Sequence, residues 1–161
     1  MLLHEHDLRV GNYAAAFAVT GLAVRMAQAL QINIESSSDI LCLEVDGLSA
    51  SCRESRRRLM WAVYVMDAWV GGGADDLTLI ADQNMKIQLP CNERNFVFQI
   101  PCIVETLQPG KQLPFITPEA QAQGPVDSID LQAQFIRLIS LRKRVLRYLP
   151  GICAVRGTAC R

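Results

Sequence analysis

Nothing in this sequence supplies the commonest catalytic or metal-binding machinery. Only two histidines occur, His4 and His6, so a histidine-dependent triad elsewhere in the chain is excluded. Two positions apart on a helix, their imidazoles diverge by about 200 degrees, which suits surface or partner-facing side chains and not a metal site. The six cysteines, at 42, 52, 91, 102, 153 and 160, include no close pair. Zinc sites place ligands in close pairs, because one turn must present two sulfurs to one ion. With no basic secretory leader in view, the thiols read as reduced, mostly buried as small hydrophobes, in a cytosolic or nuclear setting.

Long apolar runs are missing too. A membrane-spanning helix needs about 20 such residues, and the longest stretch, Tyr13 to Val24, ends at Arg25. Net charge is also absent, with Lys plus Arg and Asp plus Glu at 16 each, so charge alone implies no nucleic-acid partner. It is unevenly placed, however. No acid follows Asp130, whereas Arg137, Arg142, Lys143, Arg144, Arg147, Arg156 and Arg161 do. Such a split suits a nucleic-acid or acidic-partner surface or, more simply, a solvated helix face. Gly71-Gly72-Gly73 is followed by Asp75-Asp76 and by no Gly-Lys-Ser/Thr, so it reads as a helix stop and not a phosphate loop.

What the chain does have is apolar residues at 50% of its length, enough for one domain with a core. The pattern predicts an all-α fold of antiparallel helical hairpins, a bundle with a long loop crossing one side. Met1 to Arg9 reads as a short helical piece, ended by Gly11-Asn12. Asn12 can cap a helix running to Leu30, rich in alanine and apolar on most sides. Ser51-Cys52-Arg53-Glu54 matches a capping box, so a second strong helix should start near Cys52 and run to Val70. Its core face is expected at Leu59, Ala62, Val63, Met66 and Val70. Residues 33–50 read as a connecting loop, with room for a helical turn. Across 74–126, Ile80, Met85, Ile87 and Leu89-Pro90 suggest an extended path laid over the helices, looser past Pro101. A last helix is expected from Asp127 to Leu149, stopped by Pro150-Gly151, with an unstructured tail over 150–161.

Three pieces carry a family likeness. Gly21-Leu22-Ala23-Val24-Arg25-Met26-Ala27-Gln28-Ala29-Leu30 is an apolar helix with an internal arginine. Glu54-Ser55-Arg56-Arg57-Arg58-Leu59-Met60-Trp61-Ala62-Val63-Tyr64-Val65-Met66-Asp67 sets an arginine cluster before an aromatic helix ending in Met-Asp. Ile80-Ala81-Asp82 leads to Gln88-Leu89-Pro90-Cys91, an acidic segment closing in Leu-Pro. In this order they resemble the fungal-specific transcription factor domain, the middle homology region of binuclear zinc-cluster regulators. The likeness is clear over about residues 1–98, and residues 1–149 read as a partial domain of this kind.

That resemblance implies a nuclear regulatory region of a transcription factor, not an enzyme and not membrane-bound. Its partners would be other proteins of the transcription machinery or a small-molecule effector, and the full-length protein would be a possible homodimer. It implies no cofactor in this chain. Zinc, and DNA contact through it, belong to a tightly spaced six-cysteine module that is missing from these 161 residues. The chain starts as if mid-helix, as a truncated product of a longer gene would. Uncovered helix faces are then expected to make it poorly soluble or self-associating. The rival function is a helical protein–protein interaction scaffold with no transcriptional role; a metabolite- or lipid-handling enzyme would need convergent polar groups that are not evident.

Individual residues carry expectations of their own. Arg56, Arg57 and Arg58 spread over about 200 degrees of helix and should be held by carboxylates rather than by one phosphate backbone. Trp61 and Tyr64 should pack in the core with their polar edges satisfied; a ligand pocket is the alternative. Asp67 is expensive on an apolar helix unless paired, and Arg25 is its expected partner across two packed helices.

Overall fold

Ala16, Thr20, Val24 and Ala27 recur every three or four positions, and this stripe of small side chains is what the helix Tyr13–Ala29 turns inward. The computed structural model describes residues 2–35, 50–72, 77–100, 102–114 and 129–158. Among these, the helices are α1 (Leu2–Arg9), α2 (Tyr13–Ala29), α3 (Ala50–Val70), α4 (Glu93–Val97) and α5 (Leu131–Thr158), with one 3-10 turn at Asp82–Asn84. No strand occurs among the described residues; a single parallel bridge joins Ile34 to Lys86. The all-α expectation holds.

α1 and α2 form a hairpin about Gly11, whose φ of 78° suits glycine. Asn12 caps α2 as expected, its side chain accepting from the Ala15 amide. His4, expected at the surface, is buried instead, its Nδ1 2.8 Å from the Thr20 hydroxyl, which ties the two helices together. The expectation that α2 is covered on most sides fails. Tyr13, Phe17, Leu22 and Met26 are exposed, because small residues on the opposite stripe let neighbours approach closely while the large ones crowd the outer face.

The buried stripe of α3 is also not the aliphatic one. Leu59 is half exposed, whereas Glu54, Arg57, Met60, Trp61, Tyr64, Asp67 and Ala68 face inward with Val63. Their spacing of three and four is helical, but it runs through charged residues that a hydrophobicity pattern passes over. Trp61 and Tyr64 are fully buried and meet edge to face with ring centroids 5.3 Å apart. Each burial contributes about 4–6 kcal/mol before entropic costs. α3 begins at Ala50, and Glu54, assigned to a capping box by its spacing, is engaged in the ionic cluster described below.

α3 ends at Val70 where the glycines begin. Gly72 takes a φ of 58°, and a Cβ on Gly71 would sit 2.5 Å from the Thr78 hydroxyl. Thr78 thus lies against the end of α3, and the segment from Leu77 onward is laid on that helix. That segment buries Ile80, Met85, Ile87, Leu89 and Cys91, the expected extended path across the helices. The short α4 inside it, and the burial of Val104 and Leu113 beyond Pro101, were not anticipated. α5 packs on α3 through Ala133, Ile136, Ile139 and Lys143. Phe135, Leu138, Leu141 and Val145, apolar as they are, are exposed to about half.

α5 starts at Leu131 and continues through Pro150-Gly151 to Thr158, so the stop expected at Pro150 is not there. An internal proline removes one hydrogen bond at a cost of about 3 kcal/mol, which does not by itself forbid the helix from continuing. Residues 36–49, with the loop turn expected among them, and Gly73, Asp75 and Asp76 lie outside the described residues.

Candidate functional site

Of the signature residues, Glu54, Arg57, Arg58, Trp61, Tyr64, Asp67, Leu89 and Pro90 come together along the inner stripe of α3, where the crossing segment is clasped at two points. At the first, Arg57 is 8% exposed. Its guanidinium donates to Glu35 Oε1 at 2.7 Å and to Glu54 Oε2 at 2.6 Å. Burial pulls its proton affinity down, but the two carboxylates overrule that and raise it well above the ordinary arginine value. The second Glu54 oxygen accepts from Arg58 and from the Cys91 amide, each at 3.0 Å. Arg58 reaches on to Glu93 at 2.7 Å and to the Cys91 carbonyl at 3.2 Å, and its guanidinium lies 4.1 Å from the Phe96 ring centroid. The arginines are therefore held by carboxylates as expected, while Arg56 stands half-buried outside the cluster.

Gln88 links this cluster to the rest of the crossing segment. Fully buried, it donates from Nε2 to Glu35, accepts the Val104 amide at 2.6 Å on its side-chain oxygen, and accepts the Trp61 indole N–H at 2.7 Å on its carbonyl. Leu89 and Pro90 follow, both buried. The Leu89 amide donates to the Glu105 carbonyl, so the segments 88–91 and 102–105 run side by side.

The second point joins three elements. Asp82 accepts from the Tyr64 hydroxyl at 2.8 Å, Lys143 Nζ at 2.8 Å and the Ser140 hydroxyl at 2.7 Å. Burial alone would raise the Asp82 carboxyl, but Lys143 foremost, with Ser140 and Tyr64, holds it below the ordinary carboxylate range. The Tyr64 phenol is pushed well up, first by burial and then by the Asp82 charge. Lys143 is 2% exposed; it also donates to the Ile80 carbonyl and sits 4.6 Å from the Tyr64 ring centroid. Nearby, Arg137 binds Glu105, and Arg142 stacks on Trp69.

Arg25 and Asp67 do not meet. Arg25 is exposed and donates to Gln28 at 3.1 Å on its own helix. Asp67 is buried, and it is the backbone that satisfies it. Its oxygens accept from the Leu79 amide at 3.0 and 3.1 Å and from the Ile80 amide at 2.8 Å. A carboxylate needs donors and not necessarily a cation, and the glycine turn after α3 delivers two amides to it. Burial raises the Asp67 carboxyl, with those amides pulling the other way. Asp67→Ala is expected to destabilise by about 2–4 kcal/mol, from a stranded buried N–H at Ile80, costing about 1–3 kcal/mol, and a part-buried one at Leu79 that costs less. Arg25→Ala should stay within about 0.5 kcal/mol. Urea melts of both variants check this; equal large losses would restore the paired arrangement.

Sequence reasoning missed Glu35, Gln88 and Lys143. Gln88 and Lys143 were visible only as one member of a Leu-Pro motif and one of a basic run. Nothing local marks Glu35, which stands beside a serine-rich stretch. Chemically, both clusters are saturated with internal partners, with no nucleophile set beside a free base. Among the described residues no three His, Cys, Asp or Glu side chains group as a metal site, and no helix is long and apolar enough to cross a membrane. A groove of about 370 Å³ lies beside the clasp, its walls including Leu2, His4, Trp61, Met66, Phe135 and Ile136.

The sequence profile of the fungal specific transcription factor domain matches residues 1–145. The chain belongs to that family. It is 30% identical over 153 residues to an uncharacterized transcriptional regulatory protein of Schizosaccharomyces pombe, covering 92% of this chain and 16% of that protein. It is 29% identical over 162 residues to the Zn(2)-C6 fungal-type transcription factor FTF1c of Fusarium oxysporum, covering 95% of this chain and 17% of the relative. No solved structure matches. This fungal transcription factor domain thus spans about a sixth of the length of these relatives, and two of its three recognisable sequence pieces, 54–67 and 80–91, supply much of the clasp.

Proposed function

We propose that this chain is the regulatory middle region of a zinc-cluster transcription factor and modulates transcription in the nucleus without making or breaking bonds. What carries the reading is the family match over residues 1–145, with relatives named as transcriptional regulators over more than nine-tenths of this chain. DNA contact belongs to a zinc-cluster module whose closely spaced cysteines this sequence does not contain. The clasp makes α3, the crossing segment and α5 one body, so that a partner protein or effector bound to one is felt by the others. The groove beside Trp61 falls within the lower part of the usual range for small-molecule sites, about 300–1,000 Å³, and its apolar walls suit an apolar group.

The test joins the chain to a foreign DNA-binding module and measures a reporter in fungal nuclei. Output should differ at least severalfold from the DNA-binding module alone and return to its level when Glu54 and Asp82 are both replaced by alanine. An unchanged reporter from a folded, nuclear fusion rejects the regulatory reading and leaves the scaffold.

A further inference from the structure

Cys91 and Cys102 are eleven positions apart in sequence, with neither in a close cysteine motif. The fold nevertheless brings them together. The Leu89 amide bonded to the Glu105 carbonyl, and the Val104 amide to the Gln88 side chain, lay the two short segments against each other. The Cys91 and Cys102 side chains are then neighbours that interact. Both cysteines are free thiols; Cys91 is 3% exposed, and Cys102 is half-buried.

We propose that Cys91 and Cys102 form a peroxide-responsive modification site that closes reversibly to a disulfide and staples the crossing segment shut. The setting divides the roles. Cys91 is the closed-off member, buried with its amide bonded to Glu54, and its thiol is pushed up by the neighbouring Cys102, by burial and by the Glu54 charge. Cys102 is the more open member, and the neighbouring Cys91 thiol, followed by the Arg57 charge, lowers it despite burial. The Asn95 side-chain N–H is buried without an ordinary hydrogen-bond partner and has the Cys102 sulfur as a neighbour that favours it as an anion. A thiolate is the form that reacts, and partial exposure lets a small oxidant in.

The chemistry balances with hydrogen peroxide as oxidant. The Cys102 thiolate attacks one peroxide oxygen, the O–O bond breaks, and the leaving hydroxide takes a proton to become water. Cys102 is then a sulfenic acid. The Cys91 sulfur attacks the Cys102 sulfur, an S–S bond forms, the S–O bond breaks, and the oxygen departs as a second water carrying the Cys91 proton. Two thiols are oxidised by two electrons and peroxide is reduced to two waters. Because the Cys91 amide and carbonyl are held by Glu54 and Arg58, the closed form fixes residues 91–102 onto α3. In a reducing compartment such a bond is transient and signals oxidation instead of supporting the fold.

The intact 161-residue chain tests this. Trypsin cuts after Lys86, Arg94 and Lys111, placing the two cysteines on different peptides, 87–94 and 95–111. After brief peroxide treatment and alkylation of remaining thiols, the expected result is those two peptides joined, at a mass two hydrogens below their sum, and separated by dithiothreitol. In Cys91→Ser, Cys102 should be labelled by dimedone as a sulfenic acid; in Cys102→Ser, Cys91 should not be. Oxidation of Cys102 to sulfinate in the wild type with no joined peptide overturns the proposal, as does crosslinking of either cysteine to Cys52 in equal yield. The wild-type measurement stands even where a variant fails to fold, and it is independent of the transcriptional reading.

Discussion

Glu54→Ala is expected to destabilise the chain by about 3–5 kcal/mol, the usual cost of breaking a buried ion pair from one side. The loss has three parts that act together. Arg57 keeps only Glu35 while remaining buried, the Cys91 amide loses its acceptor, and Arg58 loses the carboxylate that aims it at Glu93. Glu54→Gln keeps an oxygen for the Cys91 amide but no charge for the arginines, so it should fall between alanine and wild type. Urea denaturation followed by circular dichroism measures both. A loss below about 1 kcal/mol for the alanine variant would mean that the cluster decorates the clasp and does not hold it.

Asp82→Ala should cost a similar amount, about 3–5 kcal/mol, because it strands an ammonium group that is 2% exposed. The Ile80 carbonyl would then be the remaining oxygen within hydrogen-bonding distance of Lys143. If that explanation is right, adding Lys143→Met to Asp82→Ala should restore at least half of the loss, since an apolar chain of similar length fills the same space. The double-mutant cycle isolates this coupling. Failure of the second substitution to recover stability would shift the cost to the Tyr64 and Ser140 hydroxyls, which also lose their acceptor.

The same residue gives a pH dependence. Asp82 is depressed in the folded chain, so its stabilisation is present above the ordinary aspartate value of about 3.9 and is lost as pH falls through the lower folded value. Asp67 is raised, so its contribution has the opposite sign: it is present below about 3.9 and lost as pH rises through its folded value. Asp82→Asn should therefore remove part of the acid-side loss seen in wild-type melts, and Asp67→Asn should remove part of the decline toward neutral pH.

Legibility in the sequence followed the range of the interactions. The α3 helix, its glycine stop and the laying of Ile80, Met85, Ile87 and Leu89 onto the helices all reflect local periodicity or short-range backbone preference, and those readings stand. The inner face of α3 was misplaced by about one position in the turn. Aliphatic Leu59 attracted the assignment, while the true stripe runs through Glu54, Arg57 and Asp67. Hydrophobic patterning carries no signal for a charge that will be neutralised, whether by a residue one turn away, as Glu54 is for Arg57, or by a distant one, as Glu35 is. Asp67 shows the same limit, since its partners are amides presented by a turn, and amides have no sequence identity. In α2 the large residues drew attention, but alanine and threonine decide where another helix can come close.

By itself, the sequence determined that this chain is helical, that it ends its central helix at three glycines, and that its ordered pieces are those of the fungal transcription factor domain. These depend on residue type and spacing along one strand of chain. Only the tertiary structure decided which carboxylate meets which cation, that Gln88 and Lys143 are buried, and that Cys91 lies against Cys102. Apart from the pairs that Glu54 makes within α3, those pairings join residues eleven or more positions apart, and their geometry exists only once the crossing segment has been laid on α3.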